Sequence, residues 1–117
     1  MSLLQKLRTT DLGEGEISKA LPDKVLAGDP TFTTWSQVES RGGAISAGVW
    51  EATPGLTKSI KGERFEFCLL LEGEVELSED DGETVTYRAG DAFVMKPGFV
   101  GTWKTVRTVR KIYVVVD

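Results

Sequence analysis

The chain has 117 residues, of which 40% are hydrophobic and 27% charged, a composition typical of one globular domain. Eighteen acidic residues against fourteen basic ones give a net charge of −4, which opposes attraction to a phosphate backbone. No apolar stretch approaches the roughly 20 residues of a membrane-spanning helix, and the N-terminus has no apolar signal core. We therefore expect a cytoplasmic protein whose partners include neither nucleic acid nor membrane.

Two residue counts restrict the chemistry further. The single cysteine, Cys68, cannot form an intramolecular disulfide, which fits a reducing compartment. The chain has no histidine. This count removes every mechanism that needs imidazole as a base, an acid or a metal ligand, including Ser-His-Asp triads and histidine-based zinc or iron sites.

The first thirty residues differ in pattern from the rest of the chain. Their leucines predict a short helical face that ends before Gly13, followed by an irregular apolar stretch over 21–26. The leucines of that face are Leu3, Leu4, Leu7 and Leu12. We predict that residues 1–30 form an N-terminal arm that covers a sheet edge, because exposed edges are normally blunted in this way. Exchange of the arm with a second subunit would serve the same purpose.

From Thr31 onward, glycines separate short apolar or alternating runs of strand length, which predicts an all-β structure. The predicted strands are 32–38, 45–52, 64–71, 74–78, 84–88, 92–95, 101–106 and 111–116. Asp80, Asp81 and Gly82 lie between two alternating runs and predict a hairpin turn. Eight short strands indicate a closed sandwich or barrel over residues 31–117.

Two segments have the spacing of a known pair of motifs. Glu66, the six residues FCLLLE and Gly73 match the second half of the first cupin motif, G(X)5HXH(X)3,4E(X)6G. Gly90 and Gly98 match the second motif, G(X)5PXG(X)2H(X)3N, in which Gly101 replaces the histidine. The chain therefore resembles the cupin superfamily. This resemblance implies a double-stranded β-helix, the RmlC-like jelly-roll barrel.

Three longer segments give a narrower resemblance. They are GVWEATPG at 48–55, LLEGEVELSEDDG at 70–82 and GDAFVMKPGFVGTW at 90–103. Together they are similar to the small single-domain cupins of the DUF861, or Cupin_3, family, which includes EutQ-type cupins of ethanolamine utilisation. This family is similar in turn to the domains of ureidoglycine aminohydrolase. Because cupins host many activities, the function has to be argued from the site.

Glu66 is the first candidate for a functional residue. The motif glutamate of a cupin points into the barrel, and a period of two then places Cys68 and Leu70 beside it and Phe65 and Phe67 outside. A carboxylate in an apolar barrel must find a cation or hydrogen bonds, or else stay protonated. Glu66 could thus be a catalytic acid or base, an anchor for an amine on a ligand, or a carboxylate satisfied by a cation in the wall.

Aromatic and polar residues complete the predicted ligand site. Trp103 shares the inner face of its strand by the same alternation, and Trp50 and Tyr113 are further aromatic candidates whose facing is open. Cys68 is included, although a thiol without a neighbouring base is more often a core residue. Lys96, at a strand end, could bind a carboxylate over the barrel mouth or be an exposed turn lysine.

The usual cupin metal site, three histidines and a glutamate that hold Mn, Fe, Ni or Zn, lacks its histidines here. The corresponding stretch, 59–62, is flanked by Lys58 and Arg64 and includes Lys61, so it could be an anion site or a solvated loop. Glu66 and the few other oxygen or sulfur donors make a poor ligand set for these metals. We predict no metal and no other cofactor.

These observations predict a protein that binds a small polar metabolite in the barrel lumen without a histidine-based metal site. The alternative is a metal-dependent enzyme of nitrogen or carbon catabolism that resembles ureidoglycine aminohydrolase, and a third possibility is an accessory scaffold. The outer faces of Phe65, Phe67 and the apolar run 112–116 are too apolar to be left in water, and we expect a homodimer if the arm leaves them uncovered.

Overall fold

The structure is a computed structural model that describes residues 2–117. Nine strands are joined by antiparallel hydrogen bonding into one curled sheet. The strands are β1 (Glu16–Lys19), β2 (Val25–Gly28), β3 (Thr31–Ser40), β4 (Ile45–Ala52), β5 (Gly55–Ile60), β6 (Phe65–Glu79), β7 (Thr84–Arg88), β8 (Ala92–Met95) and β9 (Val100–Val116). Two 3-10 turns span Pro22–Lys24 and Arg41–Gly43. Within the described residues, no helix is long and apolar enough to cross a membrane.

The two longest strands, β6 and β9, shape the barrel. They pair with each other along most of their length, and each pairs on its other side with two different strands. Residues 109–116 of β9 pair with β4 and residues 100–105 pair with β5, while β6 pairs with β8 and then with β7. The sheet therefore closes into two facing layers that share β6 and β9. This architecture confirms the predicted all-β cupin jelly roll.

The differences from the predicted strands lie at the bends. The predicted strands 64–71 and 74–78 are one strand, and so are 101–106 and 111–116, because pairing continues through the irregularities instead of stopping. The register of β6 shifts between Leu70 and Val75, where Gly73 has φ of 87°. The sequence does not predict β5, whose run GLTKSI lacks a clear alternation.

The predicted helical face in the arm is wrong, because residues 2–15 hold no helix. Leu3 and Leu4 are exposed, and a short helix with no buried face is marginal in water. Residue 1, the start of the predicted arm, lies outside the described residues. Strand β1 pairs with β3 and β2 pairs with β5, so this segment adds a strand at each of two sheet edges. The boundary at residue 30 stays a prediction.

Alternation along β6 defines the inner face of the barrel. Glu66, Cys68 and Leu70 are buried inside, whereas Phe65 and Phe67 are half-buried on the outer face. Strands β4, β8 and β9 contribute to the same interior. The buried core consists of Ala52, Cys68, Leu70, Val75, Leu77, Phe93, Met95, Trp103 and Val109. A polar carboxylate, Glu66, thus lies at the edge of an aromatic and aliphatic core.

Gly73 and Gly90 form a matched pair that tests the bend of β6. Both have positive φ, 87° and 94°, so alanine strains the backbone at either position. A Cβ at Gly73 would collide with the carbonyl oxygen of Thr108 on β9, whereas one at Gly90 would meet no atom within 4 Å. We expect Gly73→Ala to lower the free energy of unfolding in urea by about 1–3 kcal/mol more than Gly90→Ala. Equal losses would show that the bend does not depend on this close approach.

Candidate functional site

A cavity of about 360 Å³ opens on the inner face of the barrel beside Glu66. Strands β3, β4, β5, β6 and β9 and the loop after β5 line it. Its charged residues are Lys58, Lys61, Arg64, Glu66 and Lys111. Its hydroxyl-bearing residues are Thr34, Ser46, Thr57, Ser59 and Tyr113, and the remaining wall is Trp50, Trp103 and Val115. The cavity therefore combines an apolar wall with hydroxyl groups and an excess of cationic side chains.

The register of the strands explains why these side chains face one another. Trp50 of β4 lies opposite Lys111 of β9, and Cys68 of β6 lies opposite Tyr113 of β9. Directly opposed residues in antiparallel strands share a face, and residues two apart in one strand do so as well. Glu66, two residues before Cys68, is thereby placed on the same inner face as Lys111 and Tyr113.

The carboxylate of Glu66 lies between two ammonium groups. Lys61 Nζ donates to Oε1 at 2.8 Å, and Lys111 Nζ donates to Oε2 at 2.7 Å. The Cys68 thiol also donates to Oε2, at 3.3 Å. Glu66 is only 6% exposed, so both ion pairs are shielded from water. This is the predicted alternative in which cations of the barrel wall satisfy the carboxylate.

The two lysines determine the protonation state of Glu66. Burial alone would raise the pKa of its carboxyl, but the charges of Lys111 and Lys61 and the hydrogen bonds they donate lower the pKa to about 2. A carboxylate this acidic remains ionised at neutral pH and is a weak proton acceptor. The catalytic role of Glu66 stays a prediction, and the geometry favours an electrostatic role.

Lys111 is a fully enclosed cation, only 5% exposed. Its Nζ lies 4.4 Å from the ring centroids of both Trp50 and Trp103 and 3.4 Å from Cys68 Sγ. Burial opposes the charge, but the carboxylate of Glu66 raises the pKa of Lys111 above its ordinary value. Since burial raises the pKa of Cys68 to about 12, the thiol is neutral at physiological pH. Glu66 is therefore the anionic partner that keeps Lys111 charged.

Four of the six predicted ligand-binding residues border the cavity: Glu66, Trp103, Trp50 and Tyr113. Cys68 is wholly buried beneath them, as expected for a core residue, and contacts Glu66 and Lys111. That these residues bind a ligand stays a prediction.

Lys96 is not brought to this site. It is exposed and borders a second cavity of about 670 Å³ between β7 and β8, together with Tyr87, Phe93 and Phe99. The strand end that carries Lys96 therefore faces a different opening of the barrel from the one beside Glu66.

Lys111 is the central residue that the sequence analysis does not single out. The signal is present, because Lys111 alternates with Val109, Tyr113 and Val115 and so occupies an inward position in an apolar row. Lys61 belongs to the basic stretch for which the sequence allows two interpretations, an anion site or a solvated loop. Its side chain is only 16% exposed and pairs with Glu66, which favours an ionic role over a solvated loop.

The residues around Glu66 do not fit the transition metal of other cupins. The stretch that should supply two histidines contains Ser59 and Lys61, and Gly101 replaces a further histidine. Both oxygens of Glu66 accept hydrogen bonds from ammonium groups, which would repel a divalent cation. Across residues 2–117 there is no group of three or more His, Cys, Asp or Glu that could hold a metal ion.

The low pKa of Glu66 makes stability depend on pH in one direction. The ordinary pKa is 4.5 and the folded value is about 2, so the ionic network stabilises the protein fully above about pH 4.5. This stabilisation is lost as the pH falls from about 4.5 towards 2. We expect the free energy of unfolding in urea to decrease through this range, and Glu66→Gln to remove much of that decrease.

Glu51→Gln is the control for this experiment, because Glu51 pairs with the half-buried Arg110 and lies away from the cavity. It should leave the pH dependence between 4.5 and 2 largely intact. The same slope in wild type and Glu66→Gln would contradict the ionic network as its source.

Comparison with known proteins identifies the family and the fold of the chain. A family model described as an EutQ-like cupin domain matches residues 39–113. No curated protein matches the chain. The family match covers strands β4 to β8 and most of β9, and therefore includes most of the residues around the cavity.

Solved structures support the same fold. A DUF861-family protein of unknown function from Pseudomonas syringae pv. tomato is similar with a TM-score of 0.77 and 28% identity, over 85% of this chain and 42% of that chain. The chain thus spans less than half of that relative's length. A putative ethanolamine utilization protein Q from Salmonella typhimurium has a TM-score of 0.64 and 23% identity, over 84% and 77% of the two chains. Ectoine synthase from P. lautus has a TM-score of 0.66 and 17% identity, over 73% and 63%. The last two likenesses show the fold alone.

Proposed function

Because the chain belongs to the EutQ-like cupin domain family, we propose that it binds a small polar metabolite in the cavity beside Glu66. The observation that carries this function is the composition of the cavity. Its 360 Å³ combine aromatic and aliphatic wall residues with hydroxyl and charged groups, which is the usual composition of a small-molecule site. Function in cupins resides in such a site and not in the barrel as such.

In the proposed function, protein side chains bind the ligand without the help of a metal ion. Lys61 and Lys111 give Glu66 the positive counter-charge that a divalent ion would give the motif glutamate of a histidine-containing cupin. The alternative, a metal-dependent enzyme of nitrogen or carbon catabolism, has less support because the available donors do not fit such a metal.

Thermal unfolding with a panel of metabolites of differing charge tests this function. A ligand at about 100 times its Kd should add roughly 2.7 kcal/mol of stability, which raises the midpoint by several degrees for a domain of this size. Ser46→Phe, which fills the cavity from β4, should abolish the shift. Ser40→Phe, at an exposed end of β3, is the matched control and should retain it.

Two outcomes of this panel would contradict the proposed function. The first is that no compound of the panel raises the unfolding midpoint of the wild type in a way that Ser46→Phe abolishes. The second is a shift with Mn²⁺, Fe²⁺, Ni²⁺ or Zn²⁺ that disappears in Glu66→Gln, which would favour the metal-dependent enzyme.

We further propose that the protein acts as a homodimer that joins through the outer face of β6, β8 and β9. Phe65, Phe67 and Val114 are only half-buried on this face, and Val94 and Val116 are 44% and 36% exposed. The pairings of β6 with β8 and β9 place these side chains side by side, so they form a continuous apolar surface. A contiguous apolar surface is typical of an interaction site.

Size-exclusion chromatography with light scattering tests the dimer. Val94→Asp places a charge on this face and should yield a monomer, whereas Val85→Asp should leave the dimer intact. Val85 is equally exposed but pairs with Leu77 on the second half of β6, away from Phe65 and Phe67. A monomeric wild type, or identical behaviour of the two variants, would contradict dimerisation through this surface.

A further inference from the structure

We infer that the ligand is a small organic carboxylate that binds between the ammonium of Lys61 and the hydroxyl of Tyr113, an inference that rests on the proposed function. The two side chains border the same cavity from the loop after β5 and from β9. Four properties of the cavity lead to this class of ligand: its uncompensated charge, the different contacts of its two enclosed lysines, a hydroxyl without a protein partner, and an apolar wall.

The charges around the cavity leave an excess of positive charge. Four cationic side chains and one carboxylate, that of Glu66, line it. Arg64 is neutralised from outside by Asp117, to whose oxygens it donates hydrogen bonds at 2.6 and 3.1 Å. Lys58 is exposed to solvent, so Lys61 and Lys111 are the cations that the cavity encloses, and Glu66 offsets one of them. One positive charge thus remains in a partly enclosed space, and an anion is the ligand that compensates it.

Lys111 does not leave room for a cationic ligand. Its ammonium lies against one ring face each of Trp50 and Trp103, which are the surfaces that would otherwise attract a ligand ammonium group. The same ammonium donates to Glu66 and Cys68. The aromatic wall is therefore already occupied by a cation of the protein itself.

Lys61 is the lysine that can reach a ligand. It follows β5, its side chain is partly exposed, and Glu66 is its one side-chain partner among residues 2–117. An ammonium group has three N–H donors, so two remain for another acceptor. A ligand carboxylate can accept these hydrogen bonds while Lys111 continues to hold Glu66.

Tyr113 supplies the second polar contact. The residue is 8% exposed, yet its hydroxyl makes no hydrogen bond with any of residues 2–117. The hydroxyl lies over Gly48, where an added Cβ would come within 2.9 Å of it. No fully enclosed side-chain N or O atom within the described residues lacks a partner, so this hydroxyl is open to the cavity. A hydroxyl that opens into a cationic cavity is a suitable donor to a carboxylate.

The apolar wall and the volume favour a carbon skeleton over an inorganic oxyanion. Val115 and the ring faces of the two tryptophans are apolar, and the indole N–H of Trp103 already donates to Thr105. The volume of 360 Å³ equals that of about twelve water molecules at about 30 Å³ each. A short monocarboxylic or dicarboxylic acid fits both the polar end and the apolar wall.

Isothermal titration calorimetry on the full chain tests this inference. The probes are acetate, propionate, succinate and glutarate, with propionamide and propylamine as neutral and cationic counterparts, and with sulfate and phosphate as oxyanions without carbon. We expect at least one carboxylate to bind more tightly than all four comparison compounds. Lys61→Met and Tyr113→Phe should each weaken that carboxylate about tenfold or more, because each removes a hydrogen bond to a charged group.

Lys104→Met is the control variant, since Lys104 is exposed on β9 and pairs with Glu76 away from the cavity; it should bind as the wild type does. Lys61→Arg keeps the charge beside Glu66 and should restore most of the affinity if Lys61→Met is poorly folded. Tighter binding of the amide, the amine or an inorganic oxyanion would overturn the carboxylate and leave a small-molecule site standing. Carboxylate binding unchanged in Lys61→Met and Tyr113→Phe would overturn the assigned contacts. If no carboxylate binds, this inference fails, and the proposed function fails with it only if the wider metabolite panel also gives no cavity-dependent shift.

Discussion

The buried ion pair between Glu66 and Lys111 is the interaction on which the interior of this barrel depends. Either charge alone would be very costly at this depth, because each is almost wholly removed from water. In the pair, each carboxylate oxygen of Glu66 accepts a hydrogen bond from an ammonium group, Oε1 from Lys61 and Oε2 from Lys111. The ammonium of Lys111 also donates to the sulfur of Cys68. Removal of Glu66 would therefore leave the buried ammonium of Lys111 without an anionic partner and cost more than the pair itself contributes.

The long strands β6 and β9 make this pair possible. Each contributes to both layers of the barrel, and the bend in β6 at Gly73 lets the chain pass closely by β9 near Thr108. The pairing of the two strands sets Glu66 and Lys111 on one inner face, with Trp50 brought opposite Lys111 by β4. The ammonium group of Lys111 then lies against two indole rings, at 4.4 Å from each centroid.

The sequence predicts the barrel well because its strand alternation and motif glycines are local features. The cupin resemblance implies that Glu66 points inward, a period of two then places Cys68 and Trp103 on the inner face, and the structure has all three buried. The facing of Trp50 and Tyr113 depends on which strands pair and in which register, and no local pattern in the sequence determines that. The strands of the arm are also hard to predict, since β1 is exposed along its whole length and has no buried alternation.

The candidate site is less predictable than the fold for the same physical reason. The partner of Glu66 lies 45 residues away on another strand, so the pair exists only once β6 and β9 are in register. Lys111 is recognisable as an inward lysine only when Val109 and Tyr113 are known to be buried. For Lys96 the sequence suggests a site residue that the structure does not place at the site. Its position after β8 suggests the barrel mouth, but the residue borders the second cavity and not the one beside Glu66.

In this account Glu66 is an ionised carboxylate held by lysines, in place of a carboxylate that binds a metal ion or a proton. The most direct measurement is an NMR titration of the Glu66 side-chain carboxyl carbon from about pH 1.5 to 8. The predicted result for the wild type is a titration midpoint near the folded pKa of about 2. In folded Lys111→Met the midpoint should move upward towards the ordinary pKa of 4.5, because one of the two stabilising cations is gone. A midpoint at or above the ordinary pKa of 4.5 in the wild type would contradict the claim.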